Sequence, residues 1–250
     1  MIDFLVLNPL NPPYQGDFKS KCVSSIELET KSRNEMEGRL DREKPSMTNH
    51  RHYSARKDKK METAAAQALF TPEEYLARER KALTKSEYRD GRIYAMPGAS
   101  RKHNLITAHI VGEFYIQLRD RSCEVYPSDM RVKVSAAGLY TYPDVIVICD
   151  EPRFDDTHFD TLLNPTVLIE VLSPSTAAYD RGGKFASYQK LDSLCEYVLI
   201  SQDSVRVEHY LRQEQDWDLT EFRSLDDVFK LPSIQCELSL QAIYAKVQFS

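Results

Sequence analysis

Two carboxylates set in apolar sequence, and a lysine shortly after the second, are the residues best suited to chemistry in this chain. Asp144 follows Pro143 where the chain enters Val145-Ile146-Val147-Ile148, and Glu170 lies between Ile169 and Val171 in a second apolar run. An ionised carboxylate removed from water is costly unless it is paired or metal-bound, so each needs a compensating charge. A divalent cation of the Mg2+ type fits a hard-oxygen site built from one or two carboxylates, a backbone carbonyl and waters. A purely structural ion pair with Arg181 or Lys184 would also serve. Lys184 favours the first reading. A helix packed back over the Glu170 strand can carry it to the carboxylates' end of the sheet, where a lysine can stabilise a phosphoryl transition state and hold an attacking water. Taken alone, it is equally an exposed helix lysine.

Glu87 and His103 form a second layer. Glu87 stands in the first strand of a hairpin, and His103 in the first turn of a long helix, where its ring could reach a substrate phosphate or orient a ligand. The alternative for His103 is a polar residue at a helix start. Tyr188, four residues after Lys184, shares its helix face and is read as packing. Other chemistries lack their residues: there is no Gly-x-Ser-x-Gly elbow, no His-Glu-x-x-His and no Gly-x-Gly-x-x-Gly. Gly182-Gly183-Lys184 lacks the spaced leading glycine and the following Ser or Thr of a phosphate loop.

The elements that must position these residues follow from local signals. Thr71-Pro72-Glu73-Glu74 has the N-cap, the early proline and the closing glutamate of a capping box, predicting a helix to about Lys81. Asp90-Gly91 between Ser86-Glu87-Tyr88-Arg89 and Arg92-Ile93-Tyr94-Ala95-Met96 predicts a tight hairpin. Over 101–119 the apolar stripe Leu105, Ala108, Val111 or Gly112, Tyr115 and Leu118 predicts a long helix. Strands are predicted over 123–126, 131–134, 142–149 and 166–172, a helix over 179–191, a strand over 197–200, an edge hairpin over 205–211 and 217–222, and a terminal helix over 238–246. The two runs bearing Asp144 and Glu170 are apolar without alternation, as in central strands covered on both faces. The order of elements is α+β, a mixed sheet flanked by helices.

Composition bounds the rest. With 42% hydrophobic and 28% charged residues, the 250-residue chain can bury one substantial core, expected over 63–250. Residues 1–62 show no sustained period, contain Asn-Pro-Leu-Asn-Pro-Pro and run through a charged stretch at 51–60, which predicts a disordered extension. That basic cluster is either a nucleic-acid arm or a solvated tail, and Met61 is an alternative start of the chain. Residues 1–60 hold 12 Lys+Arg against 9 Asp+Glu, leaving 21 against 29 for the remainder. A net-acidic body attracts polyphosphate poorly, so any basic surface must be local. The five cysteines are scattered without metal-site spacing and read as free core thiols in a reducing compartment. No run approaches the ~18 apolar residues of a membrane span, so the expected location is the cytoplasm with no membrane partner.

Glu87 through Met96, His103, Pro143-Asp144-Val145, Ile169-Glu170-Val171-Leu172-Ser173-Pro174-Ser175-Thr176, Asp180, Lys184, Tyr188 and Glu196-Tyr197 occur in an order and spacing that resemble the Uma-two family of restriction-endonuclease-like proteins, within the PD-(D/E)xK nuclease superfamily. The resemblance spans roughly Phe70 to Tyr244. It implies a restriction-endonuclease-like fold, Asp144 and Glu170 as ligands of Mg2+ or Mn2+, and the Val171 carbonyl as a further ligand. The lysine expected two residues after the glutamate is Leu172 here, and by resemblance to variants whose lysine sits on the next helix, Lys184 takes that role. The implied reaction is metal-assisted hydrolysis of DNA phosphodiesters, with a possible homodimer for cutting both strands. Two alternatives remain at this stage: a non-catalytic regulatory protein that keeps the fold, and a structural domain in which Asp144, Glu170 and Lys184 form a buried ion network.

Overall fold

The computed structural model describes residues 69–249. The extension expected over 1–62, with its basic cluster and Cys22, lies outside them. Helix α1 (Pro72–Glu79) starts as its capping box demands: the Thr71 hydroxyl accepts from the Glu74 N–H at 3.2 Å, and the Glu74 carboxylate accepts from the Thr71 N–H at 2.8 Å. Strands β1 (Ser86–Arg89) and β2 (Arg92–Ala95) form the expected hairpin, with Asp90 at φ 48° and Gly91 at φ 85°. Both left-handed residues suit a two-residue turn. A Cβ at Gly91 would lie 2.8 Å from the Leu69 Cβ, so a larger residue has no room there.

Helix α2 (Arg101–Leu118) is followed by β3 (Glu124–Pro127), β4 (Arg131–Val134), β5 (Leu139–Thr141), β6 (Val145–Ile148), β7 (Thr161–Leu162) and β8 (Val167–Leu172). Two sheets share these strands. One has the order β2-β1-β5-β4-β7; the other adds β9 (Glu196–Ser201), β10 (Val207–Gln213) and β11 (Asp216–Phe222) in the order β11-β10-β9-β8-β6-β3. The β8–β9 and β4–β7 pairs are parallel and the rest antiparallel. The strands of Asp144 and Glu170 are interior, as their unbroken apolar runs predict.

Each face of the six-stranded sheet has its own core. Val145, Val147, Val167, Ile169 and Val171 pack with α2 and the C-terminal elements, whereas Ile146, Ile148, Leu168 and Leu172 pack with Phe185, Tyr188, Leu191 and Leu194. Strand alternation therefore puts Glu170 on the second face, beside Leu168 and Leu172.

Several expectations are corrected. The buried stripe of α2 is Ile106, Ile110, Phe114 and Leu118; of the predicted stripe Leu118 is buried as expected, whereas Tyr115 is 64% exposed. The helix carries apolar residues on two adjacent stripes, and the one with more volume to bury wins. The helix expected over 179–191 is a composite: α3 (Ala177–Tyr179), a π-helical turn over Asp180–Lys184 and α4 (Phe185–Tyr188). The region 238–246 is partly strand: β12 (Val228–Leu231) and β13 (Cys236–Ser239) form a hairpin ahead of the short α5 (Leu240–Ile243). The strand expected over 142–149 is β6 alone, Val145–Ile148, and residues 142–144 are instead the passage from β5 in one sheet to β6 in the other.

The cysteines are not all free. Cys123 and Cys149 flank the Glu124↔Ile148 pair of β3 and β6 and are joined by a disulfide, and Cys195 is also disulfide-bonded; Cys236 is free and buried. Closing the 26-residue separation from 123 to 149 is worth about 3.5 kcal/mol in the chain-entropy account. Among the described residues no helix is long and apolar enough to cross a membrane.

The corrected face of α2 gives a direct check. Phe114→Ala is expected to lower the unfolding free energy by about 3–5 kcal/mol, the cost of emptying a buried aromatic site. Tyr115→Ala should change it by less than about 0.5 kcal/mol. Urea titration of the two variants measures both, and equal effects would return the helix to the predicted stripe.

Candidate active site at the junction of the two sheets

Four elements converge on one cluster. The three residues Tyr142-Pro143-Asp144 carry the chain from β5 into β6, so Asp144 stands at the mouth of the six-stranded sheet. Val145 pairs with Ile169 across the β6–β8 ladder, which places Asp144 and Glu170 at the next step of the same register. The Val171 N–H donates to Asp144 Oδ2 at 2.7 Å and fixes that carboxylate against β8. β8 and β9 run parallel, so the chain between them must cross over the sheet. That crossover is the composite helix, which lays Phe185 and Tyr188 on the core beside Leu168 and Leu172.

Lys184 closes the π-helical turn, and its Nζ lies 2.8 Å from Glu170 Oε1, 3.4 Å from Glu87 Oε1 and 3.7 Å from Asp180 Oδ1. The Tyr188 hydroxyl donates to Glu170 Oε1 at 2.9 Å. Thr141, on β5, donates its hydroxyl to Glu87 Oε1, which orients Glu87 toward the cluster from the other sheet. His103 is set by the Ser100 cap of α2, whose hydroxyl accepts the His103 N–H at 3.1 Å, and its Nε2 lies 3.2 Å from Asp144 Oδ2. A π turn widens the helix by one residue and is frequent at functional sites. Here it holds Gly182 and Gly183, and a Cβ on Gly183 would press on the Tyr179 ring at 3.2 Å.

The structure thus brings together all the residues singled out in the sequence: Asp144, Glu170, Lys184, Glu87 and His103, with Val171 contributing its N–H to Asp144. Leu172 shares the face of Glu170 but fills the core. Arg181, the other candidate partner for the carboxylates, pairs instead with Glu208 at 2.7 Å. Sequence reasoning missed two members. Asp180 stands in the family motif with no role of its own, and Tyr188 reads as packing, which it does while also donating to Glu170. The four-residue spacings of Asp180, Lys184 and Tyr188 were the available signal.

The electrostatics follow from a charge imbalance. Glu170 and Lys184 are each 4% exposed. Burial pushes the Glu170 carboxyl well above the usual range, Asp180 and Asp144 push it further, and Lys184 opposes them without prevailing. Burial would lower the Lys184 pKa, but Glu170, Glu87 and Asp180 around it reverse the sign and hold it well above the usual lysine range. Asp180 is raised as well, by burial first. One ammonium among three carboxylates leaves negative charge uncompensated, which is the condition a cation relieves.

The donor set fits a hard divalent ion. All contacts described above fall on one oxygen of each sheet carboxylate, Glu170 Oε1 and Asp144 Oδ2. No group of three or more His, Cys, Asp and Glu side chains among the described residues is arranged to hold a metal. Mg2+ needs fewer, since it is commonly held by one or two carboxylates with waters filling the octahedron.

Residues 72–242 match the model of the Uma2 family, described as "Putative restriction endonuclease". The chain is similar to two proteins of Synechocystis sp. (strain ATCC 27184 / PCC 6803 / Kazusa): uncharacterized protein sll1609, 40% identical over 162 residues covering 64% of this chain and 92% of that one, and uncharacterized protein slr1290, 38% identical over 180 residues covering 72% and 93%. It also resembles the crystal structure of "a putative nuclease belonging to DUF820" from Anabaena variabilis ATCC 29413, with a TM-score of 0.59, 21% identity, and coverage of 72% of this chain and 99% of that one. At that identity the likeness shows the fold alone.

The imbalance predicts different effects for the two members of the central ion pair. Because the folded pKa of Glu170 is raised, its bound proton contributes stability that is complete below the ordinary value of 4.5 and is lost as pH rises through the raised value. Glu170→Gln, neutral at every pH, should therefore lose this part of the pH dependence. Lys184→Met leaves three carboxylates without their cation and should cost about 3–5 kcal/mol at the same pH. Urea midpoints between pH 5 and 8 measure both, and a neutral Lys184→Met would contradict the buried ammonium.

Proposed function

The chain belongs to the Uma2 family of restriction-endonuclease-like proteins, and on that footing we propose that it is a Mg2+- or Mn2+-dependent endonuclease hydrolysing DNA phosphodiester bonds at the Asp144–Glu170–Lys184 cluster. The observation that carries the reading is the Lys184 ammonium held 2.8 Å from Glu170 amid excess negative charge. Three carboxylates around one lysine are a poor design for a merely stable core. They suit a site completed by an added cation.

In this reading Asp144 and Glu170 hold the metal, with the Val171 carbonyl as a further ligand. The metal would supply Lewis-acid polarisation of a phosphoryl oxygen and of a bound water. Lys184 positions the attacking water and stabilises charge that develops on the phosphoryl oxygens. Its elevated pKa keeps it a cation through neutral pH, so it acts as an electrostatic group and not as a base. Glu87 and Asp180 hold the ammonium from its other sides, and Tyr188 orients Glu170. His103, against Asp144 at the mouth of the site, can move a proton or hold a substrate phosphate without altering the buried cluster.

Cleavage assays on supercoiled, linear and single-stranded DNA with Mg2+ or Mn2+ test this reading. Wild type should nick in the presence of metal and be silent with EDTA, and Lys184→Ala should lose at least 100-fold in rate, the order expected when one positioned charge-stabilising group is removed. Equal residual cutting by both proteins would mark contamination. A wild type that binds metal but cuts none of the three would leave a regulatory protein on a nuclease fold.

A further inference from the structure

We infer that the β1–β2 hairpin carries the substrate's phosphate clamp: Arg89, clasped between the rings of Tyr94 and Tyr179, and Arg92 beside it bind the DNA backbone as it enters the site. This rests on the nuclease reading above. On β1, Arg89 is two residues from Glu87 and so lies on the face that Glu87 presents to Lys184. Its guanidinium carbon lies 4.7 Å from the centroid of Tyr94 and 4.8 Å from that of Tyr179, the residue just before Asp180. The aromatic clasp is thus anchored at one end to the composite helix that carries Lys184.

Three further observations point to an anion. Arg80, Arg131, Arg181, Arg206 and Arg223 all face carboxylates, whereas among the described residues Arg89 has no ion pair with Asp or Glu. The Arg89 guanidinium lies over two rings whose hydroxyls it also hydrogen-bonds, so its position is set without a carboxylate neutralising it, a preorganised cation that suits phosphate. Next, the hairpin register sets Arg89 directly opposite Arg92. Like charges facing each other across a strand pair destabilise it, so this pair is explained by a ligand better than by the hairpin itself. Last, Tyr94 pairs with Glu87 in the same register and its hydroxyl is lowered in pKa, by its hydrogen bond from Arg89 first and by Arg92 as well, so the two cations meet at one exposed phenol. The net-acidic body requires its basic surface to be local. This face of the hairpin supplies it within reach of the reacting groups.

The test is DNA binding by the full chain, measured as fluorescence anisotropy of a labelled duplex and a labelled single strand in EDTA, from 25 to 200 mM NaCl. Arg89→Gln with Arg92→Gln is expected to weaken binding on the order of tenfold at low salt. It should also reduce the slope of log K against log[salt] by about 1.8, two phosphate contacts at about 0.9 each for a duplex. Arg119→Gln, a surface arginine on the far end of α2, should leave both unchanged. Arg92→Gln alone is exposed and cannot unfold the chain, and it should give about half the slope change. In cleavage, the double variant should raise KM while kcat stays within a few-fold. Unchanged affinity and slope in the double variant, beside a wild type that cuts DNA, would overturn the clamp and leave the nuclease reading intact. A wild type that binds no DNA would overturn the clamp, and metal-dependent cutting would then decide the nuclease reading separately.

Discussion

A lysine ammonium buried among three carboxylates is the constraint around which the fold is arranged. Lys184 can be charged at 4% exposure only because Glu170, Glu87 and Asp180 surround it, and each comes from a different element. Glu170 requires β8 to be an interior strand, Glu87 requires the first hairpin to stand against the sheet junction, and Asp180 requires the helix to open into a π turn. Loss of the ammonium leaves the three carboxylates without their cation, at a cost of several kcal/mol. The cluster is therefore both the place where the two sheets are tied together and the place where charge is left over.

That double role sets the division of labour between the two faces of the six-stranded sheet. The face covered by α2 is mostly apolar and supplies stability through side chains such as Ile106, Ile110 and Phe114, with the buried Glu196–His209 pair as its polar insertion. The other face interrupts its apolar surface with Glu170, and the crossover between β8 and β9 then serves two ends. Phe185 and Tyr188 bury its lower side, while Lys184 and the Tyr188 hydroxyl meet the carboxylate. Native proteins accept such destabilising charge where a ligand relieves it.

How much of this was legible in the sequence depended on the range of the interaction. Asp144 and Glu170 were readable because a carboxylate in an apolar strand is anomalous on local grounds alone, and the capping box at Thr71 and the Asp90-Gly91 turn are equally local. The Lys184 contact rested on family resemblance, since Leu172 occupies the position that strand geometry would favour. The π turn was not readable: it differs from an α-helix by one residue of hydrogen-bond register, and only the fit of Lys184 and Tyr188 over β8 shows it. The Cys123–Cys149 bridge likewise depends on the β3–β6 register, which no spacing of cysteines reveals. The α2 stripe was misplaced because two apolar stripes run side by side, and the decision between them belongs to the sheet beneath.

The central claim is that Asp144 and Glu170 form a divalent cation site balanced against Lys184. Mn2+ binding followed by electron paramagnetic resonance measures it without reference to cleavage. Wild type should take up one Mn2+, displaceable by Mg2+, and Asp144→Ala and Glu170→Ala should each abolish uptake while remaining folded. Failure of the wild type to bind, or binding that survives both substitutions, would contradict the account and leave the cluster a structural ion network.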